Sequence, residues 1–386
     1  MPVPRVLWAL PVLALSMLGA CLGARGPAPS PGPPPPARTF DSERAWSHLL
    51  ALTAIGPRVA GTPGGREAAE YVRGQLTGLG FEVLEQSVPL APPAEAPPDA
   101  PTPHAVGEGD AAGPPPATTQ NLRVVLPGES SDLLILAAAY DTPPFEEFAF
   151  VGANHSAAPT AVLLELARVL HERPLPYTTW IVFFGGEATR VDASGQKRKR
   201  RGSQTFVGSL QEEDLLPRVR FALVLDQVGD ADLTLSRDLS SHRLYREIFW
   251  KAGRRLGYTE AFRREPSFLA FETSHYSFVE RGMSNVVVLS DLTYGGEEPP
   301  GTYWNTEEDT PEHCSAESLE AVGVVSLAAL DEIAELLLKV DRFATYEGPE
   351  PASPDAEETD EDGEQAGAEL LEEDDAPAEA PSSESP

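Results

Sequence analysis

Cysteine is nearly absent from this chain, which has two cysteines among 386 residues. The first ends the segment Leu18-Gly-Ala-Cys21, which resembles a bacterial lipobox, the site where a lipoprotein precursor is cleaved and acylated. If Cys21 is acylated, Cys314 has no partner within the chain, and a disulfide framework is excluded. A cysteine-based zinc site is also excluded, because such sites need several thiolates at short spacing.

The apolar run near the N-terminus, residues 6–18, is too short to span a membrane. Because Arg5 precedes it and the lipobox follows it, we predict a lipoprotein signal peptide over residues 1–20 and a lipid anchor at Cys21. Leu22, rather than an Asp, comes next, which by resemblance to Gram-negative lipoproteins favours the outer membrane. The predicted location is therefore the bacterial cell envelope, facing the periplasm or the surface, and we expect no nucleic-acid partner there.

Basic residues are missing from the C-terminal tail. After Thr345 the chain has sixteen Asp or Glu and no Lys or Arg, about half of the net charge of −31. Such a run predicts a solvated, disordered tail over residues 343–386. Residues 21–38 and 91–119 are rich in Pro and Ala, and they predict a linker and a disordered surface insertion. One α/β domain over residues 39–342 remains.

Strand-like and helix-like segments alternate through this domain. Residues 133–139, 180–184 and 221–225 are continuously apolar, which is typical of strands buried on both faces. The alternation predicts an α/β fold in which a mostly parallel, mixed central sheet has helices on both faces. In such folds functional groups gather at the carboxyl ends of the strands. Further strands are predicted over residues 81–88, 121–126 and 285–289, and helices over 41–55, 64–80, 157–172, 241–256, 275–280 and 316–339.

Several motifs follow one another in a recognisable order: Gly152-Ala-Asn-His-Ser-Ala-Ala-Pro159, Leu164-Glu-Leu-Ala-Arg168, Val182-Phe-Phe-Gly-Gly-Glu187 and the strand end Leu225-Asp226. Together they resemble the zinc aminopeptidases and glutaminyl-peptide cyclotransferases of metallopeptidase family 28, and the glutaminyl cyclase-like group most closely. The resemblance implies a zinc exopeptidase (phosphorylase/hydrolase-like) fold. It also implies one or two zinc ions that act as Lewis acids and keep an open coordination position.

The positions of the metal ligands in this family carry other residues here. Ala139 stands where the family has a strand-end His, His155 where it has Asp, Ala188 where it has Glu and Asn305 where it has a late His. Of the ligand positions, only Asp226 is retained in kind. Alanine donates no ligand atom, and a neutral amide is a poor zinc ligand beside imidazole or carboxylate. We therefore expect no zinc and no other cofactor.

Glu187 occupies the family's proton-shuttle position, so Glu187 and Asp226 are the candidate vestigial catalytic residues. One interpretation is that Glu187 is a strand-end carboxylate satisfied by backbone N–H groups or by His155. Another is a hydrogen-bonded cluster of Glu187, His155 and Asp226 in place of the metal. A carboxylate beside His155 would raise the pKa of the imidazole and make it a charge substitute for zinc.

Four further residues are predicted to line the cleft. Asp141 follows the strand end at which the family has its metal-binding His, and we expect it to keep a local hydrogen-bonding role. Ser274 replaces an acidic residue of the cyclases, and the retained His275 is expected to be structural. Trp304 precedes the altered ligand position Asn305.

These observations predict a lipid-anchored pseudoenzyme that binds peptide N-termini, or an envelope partner, in the cleft. Glu187 or Asp226 would then pair with the amine. The alternative is an active glutaminyl-peptide cyclotransferase or metallo-aminopeptidase with an altered metal site. The basic run Lys197-Arg-Lys-Arg-Arg201 predicts either a solvated loop or a contact for an anionic partner or for the chain's own acidic tail.

Overall fold

The computed structural model of this protein describes residues 39–90, 118–187, 200–264, 268–269 and 271–344. The predicted signal peptide and linker, and nearly all of the predicted insertion and acidic tail, lie outside the described residues. Residues 343–344, predicted to begin the disordered tail, are instead the last two residues of a long helix. The chain divides into two compact units, Met1–Leu338 and Lys339–Pro386. Of the second unit, residues 339–344 are described, and they are helical.

The described strands of the first unit form a six-stranded sheet and a small two-stranded one. In the large sheet the order is β1-β2-β4-β3-β5-β8. The four neighbours β4, β3, β5 and β8 are parallel, whereas β1 and β2 are antiparallel, which confirms the predicted mixed, mostly parallel sheet. The strands are β1 (Leu84–Pro89), β2 (Thr118–Leu126), β3 (Ser130–Ala139), β4 (Tyr177–Phe184), β5 (Val219–Asp226), β6 (Arg237–Asp238), β7 (Phe268–Leu269) and β8 (Val286–Ser290).

Strand β2 begins at Thr118, which lies inside the insertion predicted over residues 91–119. Thr118 and Thr119 pair with Pro89 and Val88 of β1, so the insertion between these strands is two residues shorter than residues 91–119. The two threonines are recruited because the exposed edge strand β1 offers them backbone partners, a long-range effect that composition does not reveal.

Seven α-helices accompany the strands in the described part of the chain. Asp41 caps the first helix, its side chain accepting the N–H of Arg44, and Gly80 follows the second helix with φ of 91°. Leu50 of the first helix is apolar but 43% exposed. The helices are α1 (Ser42–Ala54), α2 (Pro63–Gly78), α3 (Ala158–Glu172), α4 (Arg201–Glu212), α5 (Arg243–Arg255), α6 (Tyr276–Val279) and α7 (Ala316–Ala344). None of these helices is long and apolar enough to cross a membrane.

Alternating side chains of the central strands enter two different cores. In β3, Leu134 and Leu136 belong to the cluster that contains residues of α1, α2, α3, α5 and α7. Their neighbours Leu133 and Ile135 belong to the cluster that contains residues of α4 and α6. Both faces of the sheet are covered, which explains the continuously apolar strand sequences. Because β3, β4, β5 and β8 are parallel, their carboxyl ends meet at one edge.

Candidate functional site

A single turn of π-helix, Ala153–Ala157, carries His155 and leads directly into α3. Gly152 begins this turn in the left-handed region, with φ of 56°. A Cβ atom at this position would lie 2.9 Å from Cγ2 of Thr142 and 3.0 Å from Cε1 of Phe150. The turn therefore requires glycine both for its backbone conformation and for space.

The buried guanidinium of Arg58 fixes this turn against the end of β3. It donates hydrogen bonds to the carbonyl oxygens of Tyr140, Val151 and Gly152, at 3.1, 2.6 and 3.0 Å, and to Oγ of Ser156 at 2.8 Å. Burial lowers the pKa of Arg58 to about 10, against the opposing charges of nearby carboxylates. Two further bonds reach the carbonyl oxygens of Leu52 and Gly56.

Asp309 holds the same turn from the opposite side. Its carboxylate accepts the backbone N–H of Asn154 at 2.6 Å and that of His155 at 3.2 Å, and its carbonyl accepts the N–H of Ala153. Burial raises the pKa of Asp309 to about 6, although the two backbone donors and Arg58 act to lower it. The loop that includes Asn305 is thus fixed to the turn that includes His155.

His155 is a neutral ring rather than a charge substitute for zinc. Burial, and then the charge of Arg58, lowers the pKa of His155 to about 4. Its Nδ1 atom is buried and has no hydrogen-bond partner within the part of the chain that the structure describes. The predicted rise in the pKa of His155 is therefore wrong. The Arg58 guanidinium is the charge that acts on this ring, and it disfavours a second positive charge there.

Glu187, just past the end of β4, accepts hydrogen bonds from serines. Ser203 donates its backbone N–H at 2.8 Å and its hydroxyl at 2.5 Å, and the Ser274 hydroxyl donates as well. Ser277 lies 2.7 Å from the Ser203 hydroxyl oxygen and extends the network. Burial raises the pKa of Glu187, against these donors. These donors are a backbone N–H and hydroxyls, and His155 is not among them.

Asp141 keeps the local hydrogen-bonding role that we predicted. It is buried, and both of its carboxylate oxygens accept the backbone N–H of Glu187, at 3.2 and 3.1 Å. This contact joins the carboxyl ends of the neighbouring strands β3 and β4.

Asp226 is the last residue of β5, and its carboxyl group is a weaker acid than an ordinary aspartate. Burial raises the pKa of Asp226 to about 7, and the charge of Glu187 adds to this effect. A hydrogen bond from the side chain of Gln227 acts in the opposite direction. Near neutral pH this carboxyl group can therefore either hold a proton or pair with a cation.

We expect the variant Asp226→Asn to be more stable than the parent at pH 8, by about 3–4 kcal/mol. The folded chain binds the Asp226 proton more tightly than the unfolded chain does. The resulting stabilisation is complete below about pH 4 and disappears as the pH rises through 7. Urea unfolding at pH 4 and pH 8 measures this: the two proteins should agree at pH 4 and differ at pH 8. A variant that is less stable at pH 8 would contradict it, and exposed Asp232→Asn is the matched control.

His275 is structural, as predicted. The ring is fully buried, with Nε2 2.8 Å from Oγ of Ser240 and 3.4 Å from Oδ2 of Asp238, and Nδ1 3.2 Å from Oγ1 of Thr273. Burial acts to raise the pKa of Asp238, but the hydrogen bonds from His275 and Ser240 outweigh it and hold the pKa at about 2.

The remaining cleft positions offer few ligand atoms. Ala139 ends β3, and its carbonyl accepts the hydroxyl of Thr160 at 3.0 Å. Asn305 adopts φ of 56°, and its buried Oδ1 has no hydrogen-bond partner among the described residues. Trp304 is 40% exposed. Ala188 lies outside the described residues.

A zinc ion does not fit the donors at these positions. A methyl group ends β3, an amide stands at Asn305, and the Glu187 oxygens already accept bonds from Ser203 and Ser274. Residues 39–90, 118–187, 200–264 and 271–344 contain no group of three or more His, Cys, Asp or Glu side chains that could hold a metal ion. Tetrahedral zinc needs three protein ligands even in an open catalytic site.

The basic run is only partly described. Arg200 is nearly buried and lies 3.5 Å from Glu272 and 3.2 Å from Glu280, so it serves contacts within the chain. Arg201 donates to the carbonyl oxygen of Pro89. A contact with an anionic partner or with the acidic tail would depend on residues 197–199, which lie outside the described residues.

Three residues that shape the site were not predicted from the sequence: Arg58, Asp309 and Ser203. Arg58 follows Gly56-Pro57 at the end of the first helix. Asp309 follows two other acidic residues, and Ser203 lies in the unpredicted helix α4. A lone arginine next to a Gly-Pro helix end was the one available signal.

The fold and the sequence both have known relatives. Aminopeptidase YwaD of Bacillus subtilis (strain 168) is 28% identical over 206 residues, which are 52% of this chain and 41% of the relative. A glutaminyl-peptide cyclotransferase of Drosophila melanogaster is 30% identical over 117 residues, 29% of this chain and 33% of the relative. The matches thus span less than half the length of either relative.

Solved structures match over nearly their whole length. The glutaminyl cyclase of an Acidobacteriales bacterium has a TM-score of 0.65 at 25% identity, covering 80% of this chain and 100% of that chain. A Zn-dependent exopeptidase from Parabacteroides distasonis ATCC 8503 has a TM-score of 0.62 at 22% identity, covering 76% and 99%, a likeness of fold alone. Residues 121–330 match Peptidase family M28. Since that match covers more than half of the chain, the protein belongs to peptidase family M28.

Proposed function

We propose that this family member is a pseudoenzyme: it keeps the fold of the zinc peptidases and glutaminyl cyclases without a working zinc site, and binds a ligand in the cleft. The donor set carries the proposal. At the positions where the family resemblance places zinc ligands, the chain has Ala139, His155, Ala188 and Asn305. Function belongs to the site rather than to the fold, so membership of the family does not transfer its activity.

The ligand of this cleft is a peptide N-terminus or an envelope partner that presents an amine. Glu187 is occupied by Ser203 and Ser274, which leaves Asp226 as the better partner for an ammonium group. An ammonium beside Asp226 would favour its charged form and lower its raised pKa. The chain would be held at the cell envelope by a lipid on Cys21.

Metal analysis of the purified chain, combined with activity assays, tests the proposal. We expect far less than roughly one zinc per chain after incubation with zinc and desalting, because catalytic zinc sites need three protein ligands. We also expect no cyclisation of glutaminyl peptides and no aminopeptidase turnover, while a free-amine peptide binds more tightly than its N-acetylated form. Stoichiometric zinc, with activity that a chelator abolishes, would show a working enzyme instead.

A further inference from the structure

Helix α5 lies in a basic segment of an otherwise acidic protein. Residues 237–264 contain eight Arg or Lys and three Asp or Glu, in a chain whose net charge is −31. The inner side of α5 buries Phe249 and Trp250 in the core. The segment around this helix therefore has a positive net charge, whereas the net charge of the whole chain is negative.

The outward stripe of α5 is formed by residues three or four positions apart, which lie above one another on a helix. We name as the α5 surface the stripe residues Arg243, Leu244, Lys251 and Arg254 together with Leu239, which precedes the helix. Arg243 and Lys251 are exposed, and Arg254 is half-buried. The stripe also contains one acidic residue, Glu247, four positions from both Arg243 and Lys251.

The acidic residue of this stripe, Glu247, already has partners within the chain. Glu247 lies 3.3 Å from Arg237 and 3.5 Å from Arg246, two arginines that are themselves nearly buried. Within the described part of the chain, neither Arg243 nor Lys251 forms an ion pair, and Nη1 of Arg254 is buried without a hydrogen-bond partner. The exposed cations Arg243 and Lys251 are therefore available to an external anion.

Two large exposed apolar side chains accompany these cations, Leu244 on the helix and Leu239 four residues before its first residue. Leu239 is 60% exposed and Leu244 is 53% exposed. A soluble polyanion would pair with the cations but would leave both leucines in water. A bilayer surface accommodates both kinds of group, because phosphates pair with the cations while apolar side chains enter the boundary between headgroups and acyl chains.

We propose that the α5 surface docks on an anionic phospholipid bilayer, with Arg243 and Lys251 contacting lipid phosphates and Leu239 and Leu244 entering the headgroup–acyl boundary. The contact is independent of the cleft and of any ligand bound there. It would orient the domain on a membrane.

Vesicle co-sedimentation of the full chain tests this proposal in a Cys21→Ser background, in which no lipid can be attached at that residue. We expect binding to vesicles of phosphatidylglycerol and phosphatidylcholine that exceeds binding to phosphatidylcholine alone and weakens with added salt. Each surface cation contributes about fivefold in affinity, so Arg243→Glu with Lys251→Glu should weaken binding at least about 25-fold.

The control carries the same change of charge elsewhere: Arg66→Glu with Lys339→Glu, both exposed, should retain most of the binding. Leu239→Ser with Leu244→Ser should weaken binding while its salt dependence remains. The proposal is overturned if the control pair weakens binding as much as the α5 pair, or if the α5 pair changes nothing. Salt-sensitive binding to heparin without binding to anionic vesicles would also overturn it, in favour of a soluble polyanion.

Discussion

Replacing Arg58 with alanine is expected to lower the free energy of unfolding by about 3–5 kcal/mol. The guanidinium is fully buried and serves five carbonyl oxygens and one hydroxyl. Each buried acceptor left without a donor costs about 1–3 kcal/mol, of which water entering the vacated space recovers part. The same change also removes the positive charge near Asp309, whose carboxylate holds the turn that carries His155.

Two companion variants separate lost volume from lost hydrogen bonds. Arg58→Met fills most of the space without donors and should remain destabilised by about 3 kcal/mol. Arg58→Lys keeps a charge, but one ammonium cannot reach acceptors spread over three chain segments, so an intermediate loss is expected. Urea unfolding followed by tryptophan fluorescence measures the series. Exposed Arg66→Ala should stay within about 0.5 kcal/mol of the parent, and an Arg58→Ala variant that matches it would refute this account.

The elements that the sequence predicted correctly depend on burial over a few consecutive residues. Residues 133–139 are continuously apolar because both faces of β3 are covered, and local composition alone reveals this. Asp41 and Gly80 act through their own backbone neighbours, so both helix ends were also predictable. Leu50 shows the limit of this approach, because one apolar residue on a helix does not reveal whether a neighbour covers it.

The errors arise from residues that are distant in the sequence. The pKa of His155 depends on Arg58, 97 positions earlier, and no local pattern predicts that the two lie together. Asp309 resembles its exposed acidic neighbours in the sequence, and only the fold turns it inward to two backbone N–H groups. The donors of Glu187 come from α4 and from the start of α6, which the tertiary fold brings to the end of β4.

Restoring the family's ligands should produce a zinc site. The triple variant His155→Asp, Ala188→Glu and Asn305→His supplies three anionic or imidazole ligands in place of one imidazole, a methyl and an amide. We expect roughly one zinc per chain, with an apparent affinity at least about 1,000-fold above that of the parent, since two of three coordinating groups are gained. At residue 155 the backbone is already fixed, because Arg58 and Asp309 hold that turn.

Zinc titration with a competing chromophoric chelator measures the gain, and thermal unfolding with and without zinc provides a second readout. Zinc that binds the folded chain alone should raise the unfolding temperature of the triple variant and leave that of the parent unchanged. Each single variant should remain close to the parent, because one restored ligand leaves the set incomplete. If the parent already binds zinc as tightly as the triple variant, other residues of this chain hold the metal and the pseudoenzyme proposal fails. If the folded triple variant binds no zinc, the ligand positions inferred from the family resemblance are wrong, because the restored side chains then do not converge on one ion.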